Sequence, residues 1–438
     1  MTNYLRNTLR KNRIRLDCYG IGSLFSGAGG LDLGFAMTGQ FAPVFAVEIL
    51  HWPAVTYSVN FRLQLYNTDQ YFSGPGVYEG SVATLDFKTM EKHWIEILTA
   101  GPPCQDFSVV RGPEWDRKGI EVKRGRLYLE FIRALGALQP KMFVFENVPG
   151  LMSANKGAAF RAVIDDLVQA GWHIVFADVV DSADFGVPQR RKRLIIIGIN
   201  KNLSNFTSPS TAVKIFRERL KNNKSLLKKY PLTPLEVFEG KPLPALAEKY
   251  KDIMGEYKNL CRFGNIVDDY LKINNIDSGT VNEIEKAFEE HEKILEEMGW
   301  YNKPIYECEF SDGTHKILSE SERVLTRMRR IPPNGNHENV RGTKWEVEGR
   351  GISLVYRRLH PLKPAYTIVA YGGGGTWGYH YERGRSKLTH RERARLQTFP
   401  DTFLFSGGSQ AIRAQIGEAV PPLLAKRIAE VCLEVLRE

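Results

Sequence analysis

Leu24-Phe25-Ser26-Gly27-Ala28-Gly29-Gly30-Leu31-Asp32 is the stretch on which the fold turns. Ahead of it, Ile21 to Phe25 reads as a strand. The glycines then allow positive φ and let a ligand come close to the backbone. A helix start follows, and its unpaired N–H groups suit a carboxylate or phosphate. The next strand, Val44 to Val47, ends in Glu48, where an acid accepts hydrogen bonds from ribose hydroxyls in nucleotide-binding α/β folds. A purely structural glycine turn has the same look, and the interval to Glu48 is a little under the ~20 residues usual for such sites.

Outward from this turn, strand-like and helix-like runs alternate to about residue 200. Ile95 to Leu98, Met142 to Phe145, His173 to Val179 and Leu194 to Ile199 are apolar strand candidates. Trp52 to Phe61, Tyr128 to Leu138 and Ala158 to Ala170 have helical spacing. The alternation predicts an α/β fold: a doubly wound, mostly parallel sheet with helices on both faces. From Asn200 to about Trp345 the chain is rich in Lys and Glu with weak sheet signals, and Asn282 to Met298 reads as a solvated amphipathic helix. Regular patterns return at Tyr356, and Pro421 to Leu436 reads as a final helix.

Composition narrows the class. The 438 residues suffice for two domains, and no run of about 20 apolar residues offers a membrane span. The basic start, Met1 to Asn7, has no apolar core behind it and does not read as a signal peptide. The five cysteines are odd in number and scattered, which disfavours a disulfide framework and a zinc site; no metal is expected. Reduced thiols fit a cytoplasmic protein. The net charge of +10 favours a polyanionic partner, nucleic acid first.

Further segments carry chemistry. Ala100-Gly101-Pro102-Pro103-Cys104-Gln105 puts a cysteine just past a strand that two prolines terminate. The carboxyl end of a strand is where open α/β sheets keep their chemistry, though a loop cysteine alone is unremarkable. In Phe143-Val144-Phe145-Glu146-Asn147-Val148, a buried strand delivers Glu146 to a loop. Apolar walls would push its pKa upward so that it holds a proton and gives it away; a capping or solvated Glu is the plain alternative. In Pro188-Gln189-Arg190-Arg191-Lys192-Arg193, an extended chain points Gln189, Arg191 and Arg193 to one side, towards a base carbonyl and a phosphate, or simply to solvent. Leu388 to Asp401 opens with Thr389 and Glu392 as a capping box, a structural signal. Thr326 to Arg330, running into Ile331-Pro332-Pro333-Asn334-Gly335, is a basic stretch that suits a phosphate backbone as well as it suits a wet loop. Gln415-Ile416-Gly417-Glu418-Ala419-Val420-Pro421-Pro422 is a turn before the last helix.

In this order the segments resemble the cytosine-5 DNA methyltransferases over about residues 20–200 and 355–430. The resemblance implies S-adenosylmethionine as methyl donor, with S-adenosylhomocysteine as product, and duplex DNA as substrate. It makes Cys104 the nucleophile that adds to C6 of cytosine and turns C5 into an enamine carbon. Glu146 would assist at N3, and Arg191 would hold the base O2. The reacting carbon is unreachable inside a duplex, so the base is flipped out. Residues Gln105 to Gly125, with three glycines and several cations, suit a lid closing on DNA.

For the cofactor, the resemblance implies Phe25, Gly27, Gly29, Gly30 and Leu31 near the methionine part, Glu48 on the ribose, Ile49 on the adenine face and Pro103 by the reacting loop. Relatives often have an Asp for the adenine amino group; here Ser81 and Asp86 compete for that place. Glu418 stands where the family usually has Asn, beside the cofactor contacts Ala419 and Val420, and an ionised Glu accepts but cannot donate. DNA contacts would come from Gln105, Ser108, Arg111, Gln189, Arg193 and Thr367. The segment Tyr371 to His380, which a plain glycine hinge would also explain, resembles that of a subgroup acting at GpC-centred sites such as AGCT.

The expected organisation is a catalytic domain of residues 1–200 plus 408–438 and a smaller DNA-recognition domain of residues 201–407. A monomer acting in the cytoplasm on nucleoid DNA, alongside a companion restriction endonuclease, is the implied setting. A tRNA cytosine-5 methyltransferase is one rival, disfavoured by the long 201–355 segment. A catalytically silent DNA-binding regulator is another, disfavoured by intact Cys104, Glu146 and Arg191. A dehydrogenase would explain the glycine turn and Glu48 but not the Cys104 and Glu146 loops.

Overall fold

Strand β1 (Tyr19–Leu24) is buried from Gly20 onward, as a strand inside a parallel sheet must be. It lies mid-sheet in a computed structural model that describes residues 18–90, 95–103, 127–202, 208–277, 279–347, 355–372 and 374–438. The other strands are β2 (Phe41–Glu48), β3 (Leu65–Tyr66), β4 (Gly76–Glu79), β5 (Ile97–Ala100), β6 (Met142–Asn147), β7 (Trp172–Asp181) and β8 (Lys192–Asn200). Their order is β3-β4-β2-β1-β5-β6-β8-β7. All pairings are parallel except those of β8, which runs antiparallel to both β6 and β7.

This is the mostly parallel sheet that the alternation predicts. Residues 65–66 and 76–79 escape a periodicity reading because they are short and separated by turn-rich sequence. β5 runs on to Ala100 because Thr99 and Ala100 pair with Ser23 and Leu24. The order reverses at β1, whose neighbours are β2 and β5. Ligands of open α/β sheets bind outside the carboxyl ends of the strands at such a switch point. The chain leaves β1 through Phe25 to Gly30 and β5 through Gly101 to Pro103.

Alternation along β2 sends Phe45 and Val47 into one core and Ala46 into another. The helix His51–Phe61 covers the second with Ala54 and Tyr57. The helix Leu127–Leu138 covers the first, burying Phe131, Ala134, Leu135 and Leu138, an i, i+3, i+4, i+7 stripe. Phe131 meets Phe143 edge-on at 5.5 Å, and Phe143 meets Trp172 at 5.1 Å. Burying each such ring contributes roughly 1.5–3 kcal/mol.

Compact packing divides the chain into two units. One holds the described residues up to Asp181, with Lys192–Asn223 and Leu424–Glu438; the other holds Ser182–Arg191 and Lys224–Leu423. The first thus takes in 209–223, because Phe216 of the helix Pro209–Phe216 packs on Phe176 of β7. The second takes in 408–423, because the helix Ser409–Glu418 packs with the helix His390–Leu396.

The second unit has helices but, among its described residues, only isolated bridges in place of a sheet. Its irregular backbone therefore needs other donors for buried carbonyls. Arginines supply them. Arg358 donates to Ile331 O at 2.9 Å and Met328 O at 2.7 Å. Arg391 reaches Asp312 and Phe403 O, Arg393 reaches Val369 O and Trp377 O, and Arg395 reaches Val237 O and Asp401. The Thr389–Glu392 capping box starts the helix that carries the last three, as its sequence predicts.

Candidate active site

In the first unit the glycine turn is built on left-handed backbone: Phe25 and Gly27 have φ near +54° and Gly29 +89°. A Cβ on Gly29 would lie 2.5 Å from the Phe61 ring, so only glycine fits. Space beside Gly27 is open. Glu48, 7% exposed at the end of β2, accepts from Gly27 N at 2.8 Å through Oε2 and from Leu50 N at 2.8 Å through Oε1. Two backbone donors fix the carboxylate. Next to it Ile49 is 66% exposed, an apolar side chain the fold leaves uncovered. Gly30 and Leu31 open the helix Gly30–Met37 and are buried.

Beneath the turn lies a buried polar set. Asp32 accepts from Thr99 Oγ1 at 2.7 Å, and Thr99 Oγ1 also meets Ser23 Oγ at 3.1 Å. Burial lifts the Asp32 carboxyl to about 6, against hydrogen bonds that pull it down. This ties the helix Gly30–Met37 to β1 and β5.

Ser81 follows β4, where Glu79 pairs with Glu48 and Gly80 N donates to Glu48 O. Its Oγ caps the short turn Val82–Thr84 by accepting from Ala83 N. Asp86 is farther along and caps the next turn through Lys88 N. Ser81 thus follows directly on the Gly80–Glu48 backbone bond, and Asp86 lies five residues farther along the chain.

The carboxyl ends of β5 and β6 bring two motifs together. Glu146 Oε1 accepts from Arg193 Nε at 2.7 Å, with both side chains nearly buried. A Cβ on Gly101 would lie 3.3 Å from Glu146 Oε2, so the carboxylate stands at the start of the Pro102-Pro103 segment. Asn147 donates to Pro102 O at 3.2 Å and holds that segment, while Pro103 is exposed. Cys104, Gln105, Ser108 and Arg111 lie outside the described residues.

Gln189 and Arg191 belong to the second unit. Gln189 is fully buried: it donates to Leu396 O and Gln397 Oε1 and accepts from Ile368 N at 2.8 Å. Both amide N–H groups and the oxygen of Gln189 are thus engaged inside the second unit. Arg191, 1% exposed, donates to Ile368 O at 3.2 Å and Gly417 O at 2.8 Å. The expectation that one face of an extended strand carries Gln189, Arg191 and Arg193 together gives way here, because β8 starts only at Lys192. Thr367 Oγ1 donates to Arg190 O at 2.8 Å, joining 188–191 to 365–368. Gly417 packs so closely on Ala370 that a Cβ would come within 2.3 Å of its N. Beyond it Glu418 is exposed, Ala419 half-buried and Val420 buried.

Residues 19–434 match the model of the C-5 cytosine-specific DNA methylases. The chain belongs to that family. As a member it is a DNA (cytosine-5-)-methyltransferase, an enzyme class whose methyl donor is S-adenosylmethionine. It is 50% identical to the DNA (cytosine-5-)-methyltransferase M.ApeKI of Aeropyrum pernix, over 94% of this chain and 98% of that one. It is 32% identical to the type II methyltransferase M.NgoFVII of Neisseria gonorrhoeae, over 95% and 87%. Among solved structures, a prophage-encoded E. coli chain aligns with TM-score 0.58 and 24% identity over 96% of this chain and 100% of that one. S. pombe Dnmt2 aligns with TM-score 0.52 and 13% identity over 96% and 100%. At those identities the structures speak to the fold alone.

Within this methyltransferase, sequence reasoning missed two groups. Asn147 holds the Pro102 carbonyl; its signal was only its place beside Glu146. Asp32 stood in the quoted glycine stretch without a role, yet a carboxylate among Leu31, Leu33 and Phe35 was visible as an anomaly. Among the described residues no helix is long and apolar enough to cross a membrane, and no cluster of metal-ligating side chains occurs.

Proposed function

We propose that this enzyme methylates C5 of one cytosine in a short duplex DNA site through a covalent bond between Cys104 Sγ and C6 of a flipped base. The observation that carries the reading is the Glu146–Arg193 pair beside Gly101, three residues before Cys104. Glu48, Ile49, Ser81 and the open side of Gly27 fit a nucleoside: a fixed acceptor for ribose hydroxyls beside an uncovered apolar face. When bound, S-adenosylmethionine supplies an electrophilic methyl group.

Cys104 acts as a thiolate, whose addition to C6 makes C5 nucleophilic. Glu146 lies against N3 and stabilises the adduct. Arg193 fixes that carboxylate in place through Nε. Arg191 acts as a positioning residue, holding 368 and 417 in place. Once C5 carries the methyl group, its remaining hydrogen leaves as a proton to water, the C5–H electrons re-form the C5=C6 double bond, and the C6–S bond breaks to release the Cys104 thiolate.

The likeness to relatives named as type II methyltransferases supports a restriction–modification role, in which the product protects host DNA from an endonuclease of the same specificity. The experiment is adduct trapping. Duplex DNA with fluorine in place of the C5 hydrogen cannot complete the elimination, so a stable protein–DNA species should form with S-adenosylmethionine and be absent in Cys104→Ser. Equal trapping by Cys104→Ser removes the nucleophile assignment.

A further inference from the structure

We propose that Arg323, Arg330, Arg341 and Lys344, within one stretch of chain whose Arg330 and Lys344 lie over Trp345, form a surface of the second unit that binds the phosphate backbone of duplex DNA. The inference rests on the DNA-methylation reading above and adds a contact surface to it. Residues 323–347 hold six cationic side chains against two carboxylates. All four named cations are exposed. Among the described residues none of them meets a carboxylate within ion-pairing distance, whereas Arg219–Glu434, Lys229–Glu283 and Arg427–Glu430 are paired. Of the two acids, Glu346 is engaged by Gly342 N at 2.9 Å, and Glu338 is exposed. An unneutralised set of like charges repels itself and attracts a polyanion.

The set is also ordered. The Arg330 guanidinium lies 4.6 Å from the Trp345 ring centre, and Lys344 Nζ lies 5.4 Å from it. Buried Arg327 donates to Trp345 O at 2.8 Å. Arg358 holds Met328 O and Ile331 O, fixing the backbone on both sides of Arg329 and Arg330. Arg330 Nη1 donates to Thr326 O at 2.6 Å, and a guanidinium stacked on an aromatic face has further N–H groups for a phosphate. Pre-ordering lowers the entropy lost on binding. The Pro332-Pro333 turn and the capped turn His337–Val340 link the two halves.

The test is the salt dependence of affinity for duplex DNA, from about 50 to about 200 mM salt, in wild type and in R330A/R341A/K344A. Each lost phosphate contact should lower the slope of log K against log salt by roughly 0.9, so the triple variant should lose about 2 to 3. Melting temperature and S-adenosylmethionine affinity should stay unchanged, and Arg341→Lys should keep the wild-type slope. An unchanged slope in the triple variant overturns the surface, as does a slope change seen with tRNA alone. Methyl transfer into the same duplex is measured in parallel. Transfer intact in wild type with no slope change sinks only the surface; no transfer and no duplex binding in wild type sinks the underlying reading with it.

Discussion

Arg193 Nε donates to Glu146 Oε1 at 2.7 Å across the antiparallel strands β8 and β6. The register puts Glu146 opposite Ile195, so Arg193 reaches it diagonally along the ladder. Two motifs nearly fifty residues apart in the chain thus share one carboxylate.

Removing either partner should strike the chemistry and spare the cofactor. Glu146→Gln and Arg193→Ala should each lower the single-turnover rate by about 10²-fold or more, the scale of a positioned acid–base group. S-adenosylmethionine affinity should change less than about threefold. Rapid-quench kinetics with equilibrium binding checks this; equal losses in both would remove the pair from catalysis.

Glu48 should show the opposite pattern. Glu48→Ala removes the acceptor of Gly27 N and Leu50 N and, in our reading, of the ribose. S-adenosylmethionine should bind at least about tenfold more weakly, since hydrogen bonds to a charged group contribute ~1.5–3 kcal/mol. Duplex DNA affinity without cofactor should hold. Calorimetric titration of both ligands decides it.

Asp32 makes stability depend on pH. Its folded value of about 6 lies above its ordinary 3.8, so the group favours folding when protonated. That contribution is complete below about 3.8 and is lost as pH rises through about 6. The shift corresponds to ~3 kcal/mol. Asp32→Asn keeps an acceptor for Thr99 and carries no charge. It should be more stable than wild type at neutral pH, and the advantage should shrink as pH falls towards 4. Urea melts across that range test the sign; a constant difference would contradict it.

Gln189 separates a structural tie from a DNA contact. Gln189→Ala leaves Ile368 N and Leu396 O without their partner inside the second unit. Stability should fall by ~1–3 kcal/mol for each group left unsatisfied. The affinity of the folded protein for duplex DNA should stay that of wild type. Weaker duplex binding with unchanged stability would restore Gln189 as a DNA contact.

The sheet was legible because its strands are long apolar runs between helical stripes, as with Phe143 to Phe145 against Phe131 and Leu135. Strands β3 and β4 were not, because they are short and set in turn-rich sequence. At the site, Glu48, Glu146 and the glycine turn were readable since each ends or follows a strand. The exchange of emphasis between Arg191 and Arg193 was not readable. Alternation holds only within a strand, and the start of β8 at Lys192 is set by pairing with Asp181, which is long-range. The second unit was least legible, because buried arginines such as Arg358 and Arg391 look like surface charge in a sequence.

The most direct measurement uses S-adenosylmethionine with a labelled methyl group. The protein is incubated with mixed-sequence duplex DNA and, separately, with total tRNA, and each is digested to nucleosides. The account predicts label in 5-methyldeoxycytidine from the duplex alone, and mapping that label tests the GpC-centred site. Label confined to tRNA cytosine, or to neither with cofactor still bound, would contradict it.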